Sequence, residues 1–271
     1  MRRRFLVAAI GAVGVAIVAR AGVPVAAQGA AGVFPRTKDG KPNFNGIWQV
    51  MNTANWDVQA HEARRGPVVA LGAAFSVPPG AGVVEGNEIP YQPAAAAKKK
   101  DNGENWLTRD PEIKCFMPGI PRATYMPYPF QIVQSTETVI MAYEFANASR
   151  IIRMNSTGKS PAPAWMGWSN GRWVGDTLEI TVTDQVEDTW FDRAGNFHSD
   201  ALTVVERYTP VDANTINYNV TLDDPKVFTR PWKMDMPLYR RLERHAQLME
   251  YRCVPFVEEL MYGHLRKMPA R

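Results

Sequence analysis

From Phe130 onward the chain alternates apolar and polar residues with a period of two. Leu178, Ile180 and Val182 are apolar where Thr177, Glu179, Thr181 and Thr183 are polar; Ile216, Tyr218, Val220 and Leu222 alternate in the same way with Thr215, Asn217, Asn219 and Thr221. Successive side chains of a strand point to opposite faces, so this pattern makes half-buried strands rather than amphipathic helices. Val139, Met141, Tyr143 and Phe145, interleaved with Ile140 and Ala142, predict a strand that is largely buried. Turn formers fall at Gly171, Gly175-Asp176, Gly195 and Pro210–Asn214. With Gly46–Val50 as a first strand and the last ones near 231–241 and 246–254, the count is about nine strands in sequence order, mostly joined by short turns. A sheet of that size must close or fold over to cover its edges. The expected fold is mainly β, a single antiparallel barrel, with a β-sandwich as the alternative.

The N-terminal side is organised differently. Arg2, Arg3 and Arg4 precede an apolar run from Phe5 to Ala19, and Val25-Ala26-Ala27 offers small residues for cleavage. Residues 1–27 therefore read as an export signal, and the apolar run is shorter than the roughly 20 residues that span a bilayer. The paired arginines before Phe5-Leu6 suit a twin-arginine signal as well as the general route. The expected address is periplasmic or secreted, without stable membrane insertion once the signal is removed. Residues 28–43 read as a linker, 44–260 as the barrel domain and 261–271 as a tail. Residues 51–114 show no convincing period and read as an irregular surface excursion. It holds a helix near 93–106, with proline at its start, four alanines and three late lysines.

Export also reframes charge and cysteine. The formal net charge of +4 includes Arg2, Arg3, Arg4 and Arg20 of the signal, which has no acid, so the remaining chain is neutral. That balance gives no electrostatic reason to expect nucleic acid or an anionic membrane as partner. Lys98-Lys99-Lys100 reads as a solvated helix end. In an oxidising compartment Cys115 and Cys253 are expected to form a disulfide. Without a C-x-x-C pair they suggest no zinc site, and no cofactor or metal is expected.

The richest cluster of proton-transfer groups is Trp190–Asp200, a turn at Ala194-Gly195-Asn196 running into a strand. Period-two geometry places His198, Asp200, Leu202, Val204, Glu206 and Tyr208 on one face. A hairpin around Asp212 sets Glu206 opposite Tyr218 and Val204 opposite Val220. One reading makes His198 a general acid or base oriented by Asp192 or Asp200. The other makes it a turn residue tied to Asp200 and backbone, with Asp192 and Asn196 capping the turn. His198, Asp200 and Glu206 suit a metal by type, but there is no second histidine. Glu206, Tyr218 and Trp190 are candidate ligand contacts, as are Arg230 and Trp232, which could form a cation–π corner at the barrel mouth. A salt bridge from Arg230 to Asp223 or Glu206 is the alternative.

Gly46-x-Trp48 resembles the lipocalin signature, in which the tryptophan closes one barrel end. More extensive is the match of Cys115-Phe-Met-Pro-Gly-Ile-Pro-Arg122, Trp165–Leu178, Trp190–Tyr208, Asp224–Trp232 and Glu250–Cys253. These stretches resemble a group of exported bacterial proteins common in soil proteobacteria and acidobacteria, over about residues 43 to 255. The resemblance implies export, paired cysteines and one domain, and supplies no reaction. That group often carries His or Asp where Trp168 stands, so Trp168 is not counted as a catalytic position.

Two functions fit these observations. The first is an exported barrel binding a small, mainly apolar or aromatic molecule. The second is a cofactor-independent acid–base enzyme (hydrolase, lyase or isomerase) using His198 with Asp192 or Asp200. An interaction scaffold built on 51–114 is a minor alternative, and oligomeric state is left open.

Overall fold

In the computed structural model, residues 33–266 are described. The predicted signal and the start of the linker lie outside the described residues. Nine strands close into a barrel in chain order. They are β1 (Gly46–Gln49), β2 (Phe130–Gln134), β3 (Thr138–Tyr143), β4 (Ser149–Met154), β5 (Trp168–Val174), β6 (Thr177–Thr183), β7 (Thr203–Asp212), β8 (Thr215–Asp223) and β9 (Trp232–Arg240). β1 pairs with β9 through Trp48↔Arg240 and Gln49↔Tyr239, which abolishes both edges. The lipocalin-like barrel is therefore the fold, and the sandwich is not.

One pair departs from the antiparallel expectation. β4 and β5 run parallel, with Ile152 opposite Ser169 and Met154 opposite Gly171. The reason is parity: strands that strictly alternate in direction cannot close a ring of odd number. The chain meets this requirement with the 155–167 connection, which carries it back to the end where β4 began.

Three further expectations are corrected. The 246–254 segment is not a strand, and β9 is the last one among the described residues. The β7–β8 register is offset by two residues from the expected hairpin: Glu206 faces Val220, Tyr208 faces Tyr218 and Val204 faces Leu222. A bulge lies between Pro210 and Asp212, and a two-residue shift leaves every side chain on its expected face. Ile140, placed in a largely buried strand, faces outward and is 41% exposed.

Strand directions place the β1–β2, β6–β7 and β8–β9 connections at the same end of the barrel. The first of these carries α1 (Pro93–Glu104), α2 (Trp106–Arg109) and α3 (Arg122–Tyr125), so the expected 93–106 helix is broken at Asn105. The 51–114 excursion is not a loose surface loop. Ala54, Asn55, Asp57, Val58, Val68, Val84 and Ile89 are all buried, and it lies as a strap across that barrel end. The expected tail begins inside a helix, α4 (Val257–Arg266), which returns to the strap: Tyr262 packs on Phe75 with ring centroids 5.3 Å apart. The disulfide Cys115–Cys253 ties the two segments together, with Cα atoms 5.8 Å apart.

At the opposite end the barrel is closed by Trp48, which is fully buried and donates from Nε1 to Phe44 O at 2.8 Å. Phe34 stacks on one side of it, and the Arg240 guanidinium lies 4.2 Å from its ring. The linker residues 33–43 are thus part of the plug rather than a free tether.

Candidate functional site

The barrel interior is filled. Arg150 on β4 reaches Glu206 on β7 with both terminal nitrogens, Nη1 to Oε2 at 2.5 Å and Nη2 to Oε1 at 3.0 Å. The hydroxyls of Tyr208 and Tyr218 donate to Glu206 Oε1 at 3.0 and 2.6 Å. Burial and the neighbouring carboxylate push both tyrosines well above their ordinary pKa, so they remain donors. Glu206 and Tyr218, expected to touch ligand, instead satisfy this internal network.

The strap end holds a second buried network with a different shape. Asp110 accepts Arg122 Nη1 and Nη2 at 2.7 and 2.9 Å, while Glu112 Oε2 accepts Arg122 Nη2 at 2.7 Å. Glu112 also takes two bonds from Arg193, both at 2.9 Å, and Arg193 Nη1 continues to Glu258 of α4 at 3.1 Å. Burial raises the Asp110 carboxyl above its ordinary range. Glu112 faces the same desolvation, but Arg193 and Arg122 outweigh it and hold it at about 2. The chain of charges starts under the barrel end and surfaces at Arg193.

Arg193 lies in the 189–200 turn, and its guanidinium packs against Trp56 of the strap (4.5 Å) and Trp106 of α2 (4.9 Å). The two indoles meet edge to face. These three residues line a cleft of about 370 Å³, rimmed by Arg64, Arg65, Lys99, Lys100 and Glu104. Its depth depends on backbone contact between α1 and the turn: a Cβ on Gly195, whose φ is +88°, would lie 2.4 Å from Gly103 N. Any other residue there would push helix and turn apart.

Asp192, one residue from Arg193, pins the turn to the strap. Its Oδ2 accepts the Val58 N–H at 3.0 Å and Asn196 Nδ2 at 2.6 Å, and its Oδ1 accepts the Asn196 N–H at 3.1 Å. Asp192 is fully buried, and desolvation together with the Asp57 charge raises it to about 7 against the pull of those donors. It therefore does cap the turn with Asn196, as the second reading of this stretch expected.

His198 does not meet either aspartate as a hydrogen-bond partner. Its Nδ1 lies 2.8 Å from Ser199 O, and its Nε2 lies 2.6 Å from Thr189 Oγ1. A carbonyl only accepts, so Nδ1 carries the proton and Nε2 takes the threonine hydrogen. Burial lowers the His198 pKa further. Thr189 is seated by Gly119 of the Cys115–Arg122 motif, where a Cβ would sit 2.6 Å from Thr189 Oγ1.

The remaining candidates are dispersed. Asp200 is not on the inward face: β7 begins only at Thr203, and Asp200 is exposed and paired with Lys226 at 2.6 Å. The reason is Asp224, whose carboxylate accepts Ser199 N–H and Oγ at 2.6 and 2.9 Å and turns the chain before the strand starts. Trp190 and Trp232 are buried, Trp232 against Phe191 and Phe228. Arg230 is exposed and meets Pro231 O at 3.5 Å, so it forms neither the expected corner with Trp232 nor a bridge to Asp223 or Glu206. The guanidinium–indole contacts fall instead on Arg193, Arg240 and Arg153, the last 3.7 Å over Trp168.

Sequence reasoning missed Trp56, Arg64, Arg65 and Trp106, and gave the half-buried Lys99 to solvent along with Lys100, which is exposed. Among the described residues no cluster of three His, Cys, Asp or Glu side chains is placed to hold a metal ion. No family model, curated protein or solved structure matches the chain.

Proposed function

We propose that the protein is an exported small-molecule-binding barrel whose ligand sits outside the barrel, in the cleft between strap, α1 and the 189–200 turn. The observation that carries this reading is the cleft wall: the Arg193 guanidinium lies against the Trp56 and Trp106 rings, and all three residues line a space of about 370 Å³. That volume lies in the roughly 300–1,000 Å³ range of small-molecule sites. Export is supported by the Cys115–Cys253 disulfide, a bond that persists in oxidising compartments, and by the resemblance to exported bacterial proteins.

Native mass spectrometry on protein taken from its producing cell tests the reading. A bound small molecule should be present in the wild type and lost from Trp56→Ala. Retention of the same molecule by Trp56→Ala would remove the cleft as its site. An acid–base enzyme draws support from one feature, the Asp192 carboxyl near neutrality beside the cleft. On that reading Asp192→Asn lowers turnover by roughly 10²–10⁴-fold. On the binding reading it leaves affinity within about 2 kcal/mol, because Asp192 spends its oxygens on Val58 and Asn196.

A further inference from the structure

We infer that the cleft selects organic anions: a carboxylate or a phosphate ester carried on a flat aromatic body. The inference rests on the cleft being the ligand site and adds the charge of what enters it. Five cationic side chains line the cleft against one acid. Most are already answered. Arg193 is saturated by Glu112 and Glu258, Lys100 lies 3.9 Å from Glu104, and Arg64 lies 3.7 Å from Asp57. Arg65 and Lys99 make no ion pair among the described residues, and Lys99 is half-buried.

These two cations, one on the strap and one on α1, with only the buried Asp192 carboxyl acting on Lys99 at range, set up a positive potential in the cleft. An oxyanion placed between them gains charge-assisted hydrogen bonds with little desolvation of its own. The aromatic body is selected by the other wall, because the Trp56 and Trp106 rings offer apolar area with few rotamers to freeze. Arg193 adds to this as a stacking plane: its N–H groups are spent on carboxylates, so its guanidinium face meets the indoles and the ligand rather than an anion. A neutral aromatic would use only the floor of the site; a simple inorganic anion would use only the rim.

Isothermal titration of the purified, signal-cleaved chain with 2-naphthoate, 2-naphthyl phosphate and neutral 2-naphthol decides the matter. At low salt the better of the two anions should bind about 10–100-fold more tightly than 2-naphthol, the range of one charge-assisted hydrogen bond. Whichever anion leads identifies the head group, and its advantage should shrink in high salt. Arg65→Gln with Lys99→Gln should bring both anions down to the level of 2-naphthol and leave 2-naphthol itself unchanged. Lys159→Gln, an exposed charge away from the cleft, should change nothing. Equal binding of all three probes by the wild type would overturn anion selection and leave the cleft as an aromatic site. Failure of all three to bind would overturn the cleft as the ligand site as well.

Discussion

The barrel interior and the strap end both bury arginine–carboxylate clusters, but they bury them differently. In the barrel, Arg150 faces one carboxylate, and the tyrosine hydroxyls of 208 and 218 close on that same Glu206. At the strap end the cluster is a chain, Asp110–Arg122–Glu112–Arg193–Glu258, whose last links reach the surface. A sealed cluster can only specify packing. An open chain can hold a residue rigid at a solvent-facing wall, as it holds Arg193 between its carboxylates and the two indoles. On the proposed reading, ligand chemistry belongs to the second kind of network.

The largest test of this contrast is Arg150→Met. It leaves Glu206 in the barrel with only tyrosine donors, and the expected cost is roughly 3–5 kcal/mol in urea unfolding. Adding Glu206→Leu should restore most of the loss, since a buried pair replaced by apolar groups is often near neutral. Probe affinity at the cleft should be unchanged wherever either variant is folded. Loss of cleft binding in Arg150→Met at low denaturant would break the contrast.

Removing the disulfide acts at the strap end alone. Cys115 and Cys253 are 138 positions apart, a loop long enough for a stabilisation of about 2–4 kcal/mol. The Cys115→Ser/Cys253→Ser protein should unfold at correspondingly lower urea. It should also show faster amide exchange in α4 and the strap than in β6–β8.

The third test is pH. Asp192 is raised to about 7 in the folded chain from an ordinary 3.8, so the folded state holds a proton that the unfolded state releases. Its contribution is complete below about 4 and falls away as pH rises through 7, by a few kcal/mol. His198 has the opposite sign: its lowered pKa gives stability above its ordinary 6.5 that is lost as pH falls. Unfolding midpoints measured from pH 4 to 8 should lose the falling component in Asp192→Asn. An identical pH profile for wild type and variant would place the titrating group elsewhere. The smallest effect is expected at the exposed Lys226–Asp200 pair: Lys226→Gln should leave both midpoint and cleft affinity unmoved.

Legibility in the sequence followed the range of the interactions. β6 and β8 were readable because alternation is a property of a few neighbouring residues. Glu206 was correctly placed facing inward for the same reason, even with the register two residues off. Asp200 was misplaced because the chain turns before Thr203 under the pull of Asp224, a partner 25 positions later in the chain. The strap was read as loose because its apolar residues have no period, although Val58, Val68 and Val84 are each buried under the barrel end.

Alone, the sequence determined a mainly β fold, the inward and outward faces of β6 to β8, the cysteine pair and a neutral chain once residues 1–27 are set aside; closure into a barrel was decided by the β1–β9 pairing. Tertiary structure decided which charges meet. Strand alternation is local and survives any register, whereas Arg193 finds Glu112 81 positions away and Lys99 comes to share a cleft with Arg65 only because α1 packs on Gly195. Net charge is a sum over the chain, and a site depends on where that sum is divided.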